Sequence, residues 1–241
     1  MPEEKNPSAI LRRLRGLARP RARRDMERFG IFVDNALGGI STPKMKKLAR
    51  QIGKNHKLAQ ALWKSGIHEA RHIAAMIDEP AKVTERQMES WAGDFDSWDI
   101  VDGCCLYLFR KTSYAHRKAV EWSRRGEEFV KRAAFSMMAV LAVHDKSAGD
   151  EKFLKFLPII KRESTDERNF VKKAVNWALR QIGKRNLLLN KAAIRAAKDI
   201  RAIDSRSARW IAADALRELK GAPVQARLRE KPLRTARSPH L

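Results

Sequence analysis

The 241-residue chain carries 51 Lys+Arg against 28 Asp+Glu, a formal net charge of +23 at pH 7, and its pI is about 10.6. Such a surplus implies attraction to nucleic acid or an anionic membrane surface and is silent about fold. No run of about 18 apolar residues occurs, which disfavours a membrane span, and the opening Met-Pro-Glu-Glu-Lys-Asn-Pro-Ser lacks the apolar segment of a secretory signal. The two cysteines, Cys104 and Cys105, are adjacent, poorly placed for an ordinary disulfide and too few to form a zinc site alone. A reduced, cytoplasmic protein with no membrane partner is expected.

Residues 1–24 hold Arg12, Arg13, Arg15, Arg19, Arg21, Arg23 and Arg24, interrupted by Gly16 and Pro20. A basic arm or short helix fits that composition, either as a phosphate contact or as a solvated terminus. From there the pattern is helical almost throughout. Thr42-Pro43 reads as an N-cap with proline at the first helical position, opening a helix over 44–52 that stops at Gly53. Helices over 56–64 and 67–77 follow, and Pro80 ends the second. Thr84-Glu-Arg-Gln87 has the form of a capping box before a helix reaching Trp91. Further helices are predicted over 97–109, 115–123, 127–143, 151–162, 167–182, 188–203 and 205–220. Strand patterning is nearly absent. The more apolar helices recur at a period of roughly 30–40 residues, the length of a helix-pair repeat of HEAT or armadillo kind. The fold class expected is all-α, a superhelical solenoid of such pairs occupying 25–220, whose concave side would bind. Residues 221–241 form a basic, proline-broken tail expected to be disordered.

The stretch 91–109 contains Asp94, Asp96, Asp99, Asp102, Trp91 and Trp98. Asp96 or Ser97 suits a helix cap, and Asp99 suits the first turn, where a carboxylate complements the macrodipole. Asp94 reads as a turn residue and Trp91 as core. Asp102 lies a full turn into the helix, where no orphan N–H calls for it. Trp98 and Asp102 are i and i+4 and share a face. An aromatic plate beside a carboxylate suits a cationic substrate or transition state, although spacing alone leaves function and packing equally open. Arg132 and Trp177 fall on helices one and two repeats later, so a solenoid would place them along the same surface. Core packing against Phe170, Ala174 and Ala178 is the competing reading of Trp177.

His68-Glu-Ala-Arg-His72 matches the H-E-x-x-H of zinc proteases on a predicted helix, with Asp78 where a third ligand can fall. The helix-ending glycine of that signature is replaced by Ala75. A solvated helix face, with no metal, is the expectation. Phosphate-binding glycine loops, the zinc-deaminase signature and the G-x-S-x-G elbow are all missing, so no cofactor is expected.

At Asp94-Phe-Asp-Ser-Trp-Asp-Ile-Val-Asp102 the sequence resembles the AlkD-like DNA alkylation repair family. The likeness extends over Ser65-Gly-Ile-His-Glu-Ala-Arg71, Phe129-Val-Lys-Arg-Ala-Ala134 and Asn169-Phe-Val-Lys-Lys-Ala-Val-Asn-Trp-Ala-Leu-Arg-Gln-Ile-Gly183. The resemblance implies a HEAT-like solenoid with a basic concave face that holds duplex DNA. It also implies a monofunctional glycosylase that excises N3- and N7-alkylated purines without flipping the base into a pocket. The family's W-x-x-x-D pair, arginine and second tryptophan correspond to Trp98, Asp102, Arg132 and Trp177. In that scheme Asp102 stabilises an oxocarbenium-like sugar and orients water, the tryptophans pack on the damaged nucleotide, and Arg132 holds a phosphate. A monomer acting on double-stranded DNA with alkylated purines is implied. Two alternatives stand beside it: a non-catalytic DNA-binding or damage-sensing repeat protein, and a helical scaffold for protein partners.

Overall fold

The computed structural model describes residues 6–230. No β-strand occurs among the described residues, and none of their helices is long and apolar enough to cross a membrane. The chain groups into two compact units, Met1–Val140 and Leu141–Leu241. Helix pairs that touch mainly their neighbours make such a division natural.

The first unit holds α1 (Pro7–Leu17), α2 (Arg23–Arg28), α3 (Thr42–Ile52), α4 (His56–Lys64), α5 (His68–Ile77), α6 (Glu85–Gly93), α7 (Trp98–Tyr107), α8 (Ala115–Trp122) and most of α9 (Glu128–His144). Within the basic N-terminal segment, residues 7–17 form a helix. Asn6 caps α1 by accepting from Ser8 N, Pro7 occupies the first turn, and Ile10 and Leu14 are buried where α1 meets α4 and α5. The arginines interleaved with them, Arg12, Arg13 and Arg15, stay exposed.

An aromatic ladder runs through this unit. Trp63 stacks on Trp91 with centroids 4.0 Å apart, Trp91 tilts against Phe109, and Phe109 meets Trp122. Each such pair contributes about 1 kcal/mol beyond its buried area. Trp91 is therefore core, as its spacing indicated. Thr84 caps α6 by accepting from Gln87 N, which is half of a capping box; the Gln87 side chain turns instead to Asp78.

The second unit holds α10 (Asp150–Leu154), α11 (Phe156–Glu163), α12 (Asn169–Gly183), α13 (Leu187–Arg201), α14 (Arg206–Lys220) and α15 (Ala222–Glu230). The helix expected over 151–162 is broken at Lys155, because Pro158 has no N–H to offer the carbonyl one turn back. Arg185 fastens the loop after α9, donating to the carbonyls of Ala142, Asp145 and Ala148 while lying over the Phe153 ring. Residues 222–230 were assigned to the disordered tail but form a helix. Leu228 is buried there, and Gln225 donates to Asn190 and to the Leu219 carbonyl. The rest of the tail, 231–241, lies outside the described residues.

Candidate DNA-facing site on one helix

Helix α7 is short, and Ser97, the N-cap residue just before it, has extended backbone but makes no side-chain capping bond. Its hydroxyl is buried without a partner, so the expected cap is a backbone feature only. Nor is Asp96 a cap. It pairs with Arg71 at 3.1 Å, and Arg71 in turn lies over the Trp63 ring. Asp94 ends α6 and accepts from the Trp63 indole at 2.7 Å.

Asp102 points at α9. Arg132 donates through Nη2 to Asp102 Oδ2 at 2.8 Å and through Nε to Oδ1 at 3.3 Å, and Ser136 donates to Oδ1 at 2.6 Å. This two-point grip fixes the carboxylate in orientation as well as position. The Arg132 guanidinium also lies 5.7 Å from the Trp98 ring centroid, within cation–π range. The Arg132 side chain is 7% exposed and that of Asp102 22%. Trp98, Asp102 and Arg132 are thus brought together, with Asp102 at the partly open edge. Arg132 is buried against Asp102 here, where the sequence reading had placed it on a phosphate.

The Trp98 indole donates to the Phe29 carbonyl at 3.0 Å. That tie brings in a segment the sequence reading passed over, in which Phe29 is 71% and Phe32 73% exposed. No periodicity marks two aromatics between helices, and only their exposure in the folded chain draws attention to them. Trp177 lies on α12 in the second unit and is half-buried, whereas Val171, Ala174, Val175 and Ala178 around it are fully enclosed. Cys104 and Cys105 are free and buried, and burial pushes both thiols up in pKa.

The H-E-x-x-H segment departs from expectation most sharply. His68, Glu69 and His72 are buried, where a solvated face was expected. Glu69 accepts from the N–H groups of Leu37 and Gly38 at 2.9 and 2.7 Å. Gly38 sits at φ +84, and a Cβ there would come within 2.7 Å of Arg23 Cγ, so the loop geometry needs glycine. Asp78 is elsewhere, accepting from Gln87 at 2.6 Å and lying 2.7 Å from His56 Nδ1. Asp99 is the carboxylate that meets the histidines, at 2.9 Å from His68 Nε2 and 3.1 Å from His72 Nε2. Burial disfavours the Asp99 anion, yet hydrogen bonds from both rings outweigh it and hold the carboxyl well below its usual range. For His68 burial favours the neutral ring, but Asp99 reverses the sign and the pKa is raised. Among the described residues these three side chains can converge on a metal ion.

The DNA alkylation repair enzyme family matches residues 10–219. A separate comparison with curated proteins found no match. A solved structure described as "A new family of proteins related to the HEAT-like repeat DNA glycosylases with affinity for branched DNA structures" superimposes with a TM-score of 0.72. It is 20% identical and the match covers 86% of this chain and 92% of that one. At that identity the likeness establishes a HEAT-like repeat fold.

Proposed function

The chain belongs to the DNA alkylation repair enzyme family, and we propose that it is a DNA glycosylase that hydrolyses the N-glycosidic bond of N3- and N7-alkylated purines in duplex DNA. The observation that carries this reading is the oriented Asp102 carboxylate at an open edge beside Trp98, held by Arg132 and Ser136.

An alkylated purine is cationic, so it departs with the bonding electron pair as a neutral base and leaves positive charge on the sugar. A carboxylate near that carbon stabilises the charge and directs a water onto it, as in glycoside hydrolysis. As the new C–O bond forms, the added water gives up a proton to the surrounding solvent. Unit charges about 4 Å apart are worth about 4 kcal/mol at an effective dielectric near 20, enough for a large rate effect. In this reading Arg132 is a positioning residue that holds Asp102. Trp98 supplies a ring face to the damaged nucleotide, and Trp177 contacts the nucleic acid from the second unit. The exposed Phe29 and Phe32 offer apolar faces to the nucleic acid beside Trp98. Exposed Arg12, Arg13, Arg15, Lys44, Lys46 and Lys47 contact phosphates. No lysine nucleophile is invoked, so an abasic site is left and the strand stays intact.

The test is release of N7-methylguanine from methylated duplex DNA by wild type and Asp102→Asn, both checked for folding and DNA retention. A loss of about 100-fold or more is expected, the scale of removing one electrostatic stabiliser; equal release refutes the mechanism. A second reading, a DNA-binding protein without turnover, draws support from Arg132 and Ser136 already engaging both Asp102 oxygens. It requires tight, salt-dependent binding with no base released.

A further inference from the structure

We propose that His68, His72 and Asp99 form a binding site for one divalent transition-metal ion of the zinc class, where α5 meets α7. The two histidines are one helical turn apart on α5, and Asp99 comes from the first turn of α7. Their ligand atoms lie within 4.8 Å of one another. Both imidazoles aim Nε2 at the same oxygen, Asp99 Oδ2, at 2.9 and 3.1 Å. In a tetrahedral site with metal–ligand distances of about 2.0–2.1 Å, neighbouring ligand atoms are about 3.3 Å apart. The two contacts to Asp99 are therefore within a few tenths of an ångström of that spacing, and the widest pair of ligand atoms, within 4.8 Å, closes by at most about 1.5 Å to admit an ion.

The competing arrangement is a dry clamp in which Asp99 accepts one N–H from each ring. That arrangement uses the carboxylate poorly. One oxygen takes both contacts while Asp99 Oδ1 is buried without a partner, although a carboxylate offers about four acceptor positions. Nearby, His68 Nδ1, Ser97 Oγ, Asp96 Oδ1 and Arg71 Nε are likewise buried and unpartnered. Leaving a buried polar atom unpaired is costly, so a concentration of them marks capacity that the protein's own contacts do not use. Convergence of two Nε2 atoms and one oxygen is the geometry a metal requires. Two imidazoles and one carboxylate form a donor set that suits zinc and leaves a further position open, and hard cations such as Mg²⁺ prefer oxygen alone. Glu69 and Asp96 add negative charge around His68, a local exception in a chain of net charge +23. Since Glu69 is bound to Leu37 and Gly38, it is not placed as the general base of a zinc protease. With water in the open position, the ion would tie α5 to the start of the helix that carries Trp98 and Asp102.

The experiment takes the full chain after chelator treatment and titrates it with Co²⁺ and then Zn²⁺, following the visible Co²⁺ spectrum and total metal per chain. The expected result is one ion per chain, an intense low-coordinate Co²⁺ spectrum abolished by Zn²⁺, and a rise in thermal midpoint with Zn²⁺ but not Mg²⁺. His72→Gln and Asp99→Asn are each expected to weaken binding at least about tenfold. The wild-type spectrum needs no variant, so a variant that misfolds leaves the test intact. Wild type that gives no such spectrum, or His72→Gln that takes up the ion equally well, overturns the proposal. Base release measured in chelator is a separate readout, so loss of either idea leaves the other standing.

Discussion

Asp99 reaches back from α7 to two histidines of α5, and Asp102, three residues later, reaches forward to Arg132 and Ser136 of α9. Each carboxylate anchors α7 to a neighbour, and the partners differ in kind. The α5 side pairs it with titratable, metal-competent imidazoles in an enclosed setting. The α9 side pairs it with a guanidinium whose charge is fixed, beside an indole and two exposed phenylalanines. One helix thus separates a fastening face from the face proposed to carry the chemistry, and the difference is measurable.

The largest effect on stability is expected from Asp102→Ala, which leaves Arg132 buried beside an empty position. Breaking such a pair costs about 3 kcal/mol or more, read as a lower urea midpoint, and a near-neutral result would mean that Arg132 finds another acceptor. Asp99→Asn, measured without metal, should cost about 1–3 kcal/mol, because the two histidines lose their shared acceptor; a larger loss than for Asp102→Ala would reverse the comparison.

A smaller effect tests how firmly the fastening face is held. Gly103 on α7 packs against the His72 ring, and an added Cβ would lie 3.0 Å from His72 Nδ1. Gly103→Ala is expected to destabilise by about 1 kcal/mol if the ring is fixed. Stabilisation by a similar amount, the ordinary helix preference for alanine, would show that the ring gives way.

The smallest concerns Glu85, on neither face of α7. Hydrogen bonds from Arg117 and Lys118 lower its pKa from 4.5 to about 2. A depressed carboxyl adds stability above its ordinary pKa and loses it as pH falls through the folded value. The gap in urea midpoint between wild type and Glu85→Gln should hold steady above 4.5 and close on approach to the lowered value. A gap that persists unchanged in acid would assign the effect to packing.

Much of the fastening face was invisible in the sequence. The i,i+4 relation of Trp98 and Asp102 is local, so helical periodicity alone put them on one side. The Thr84 cap was likewise open to inspection because it acts within one turn. Asp99 and its histidines are 31 and 27 residues apart, and their meeting depends on how α5 packs on α7. For the same reason His68-Glu69-Ala70-Arg71-His72 read as a solvated face: its polar groups turn onto α7 and onto the loop at Leu37 and Gly38. The pairing of Arg132 with Asp102 was not legible, since neighbouring repeats do not reveal which side chains turn toward each other. Pro158 was legible and overlooked; a proline inside a predicted helix should have split it.

The most direct measurement incubates the wild-type protein, in excess, with a duplex carrying a single N7-methylguanine and quantifies free base, abasic site and strand breaks together. Free N7-methylguanine with an equal amount of abasic site and intact strands is the expected result. DNA that is bound but retains its lesion would contradict the assignment of Asp102 to bond cleavage.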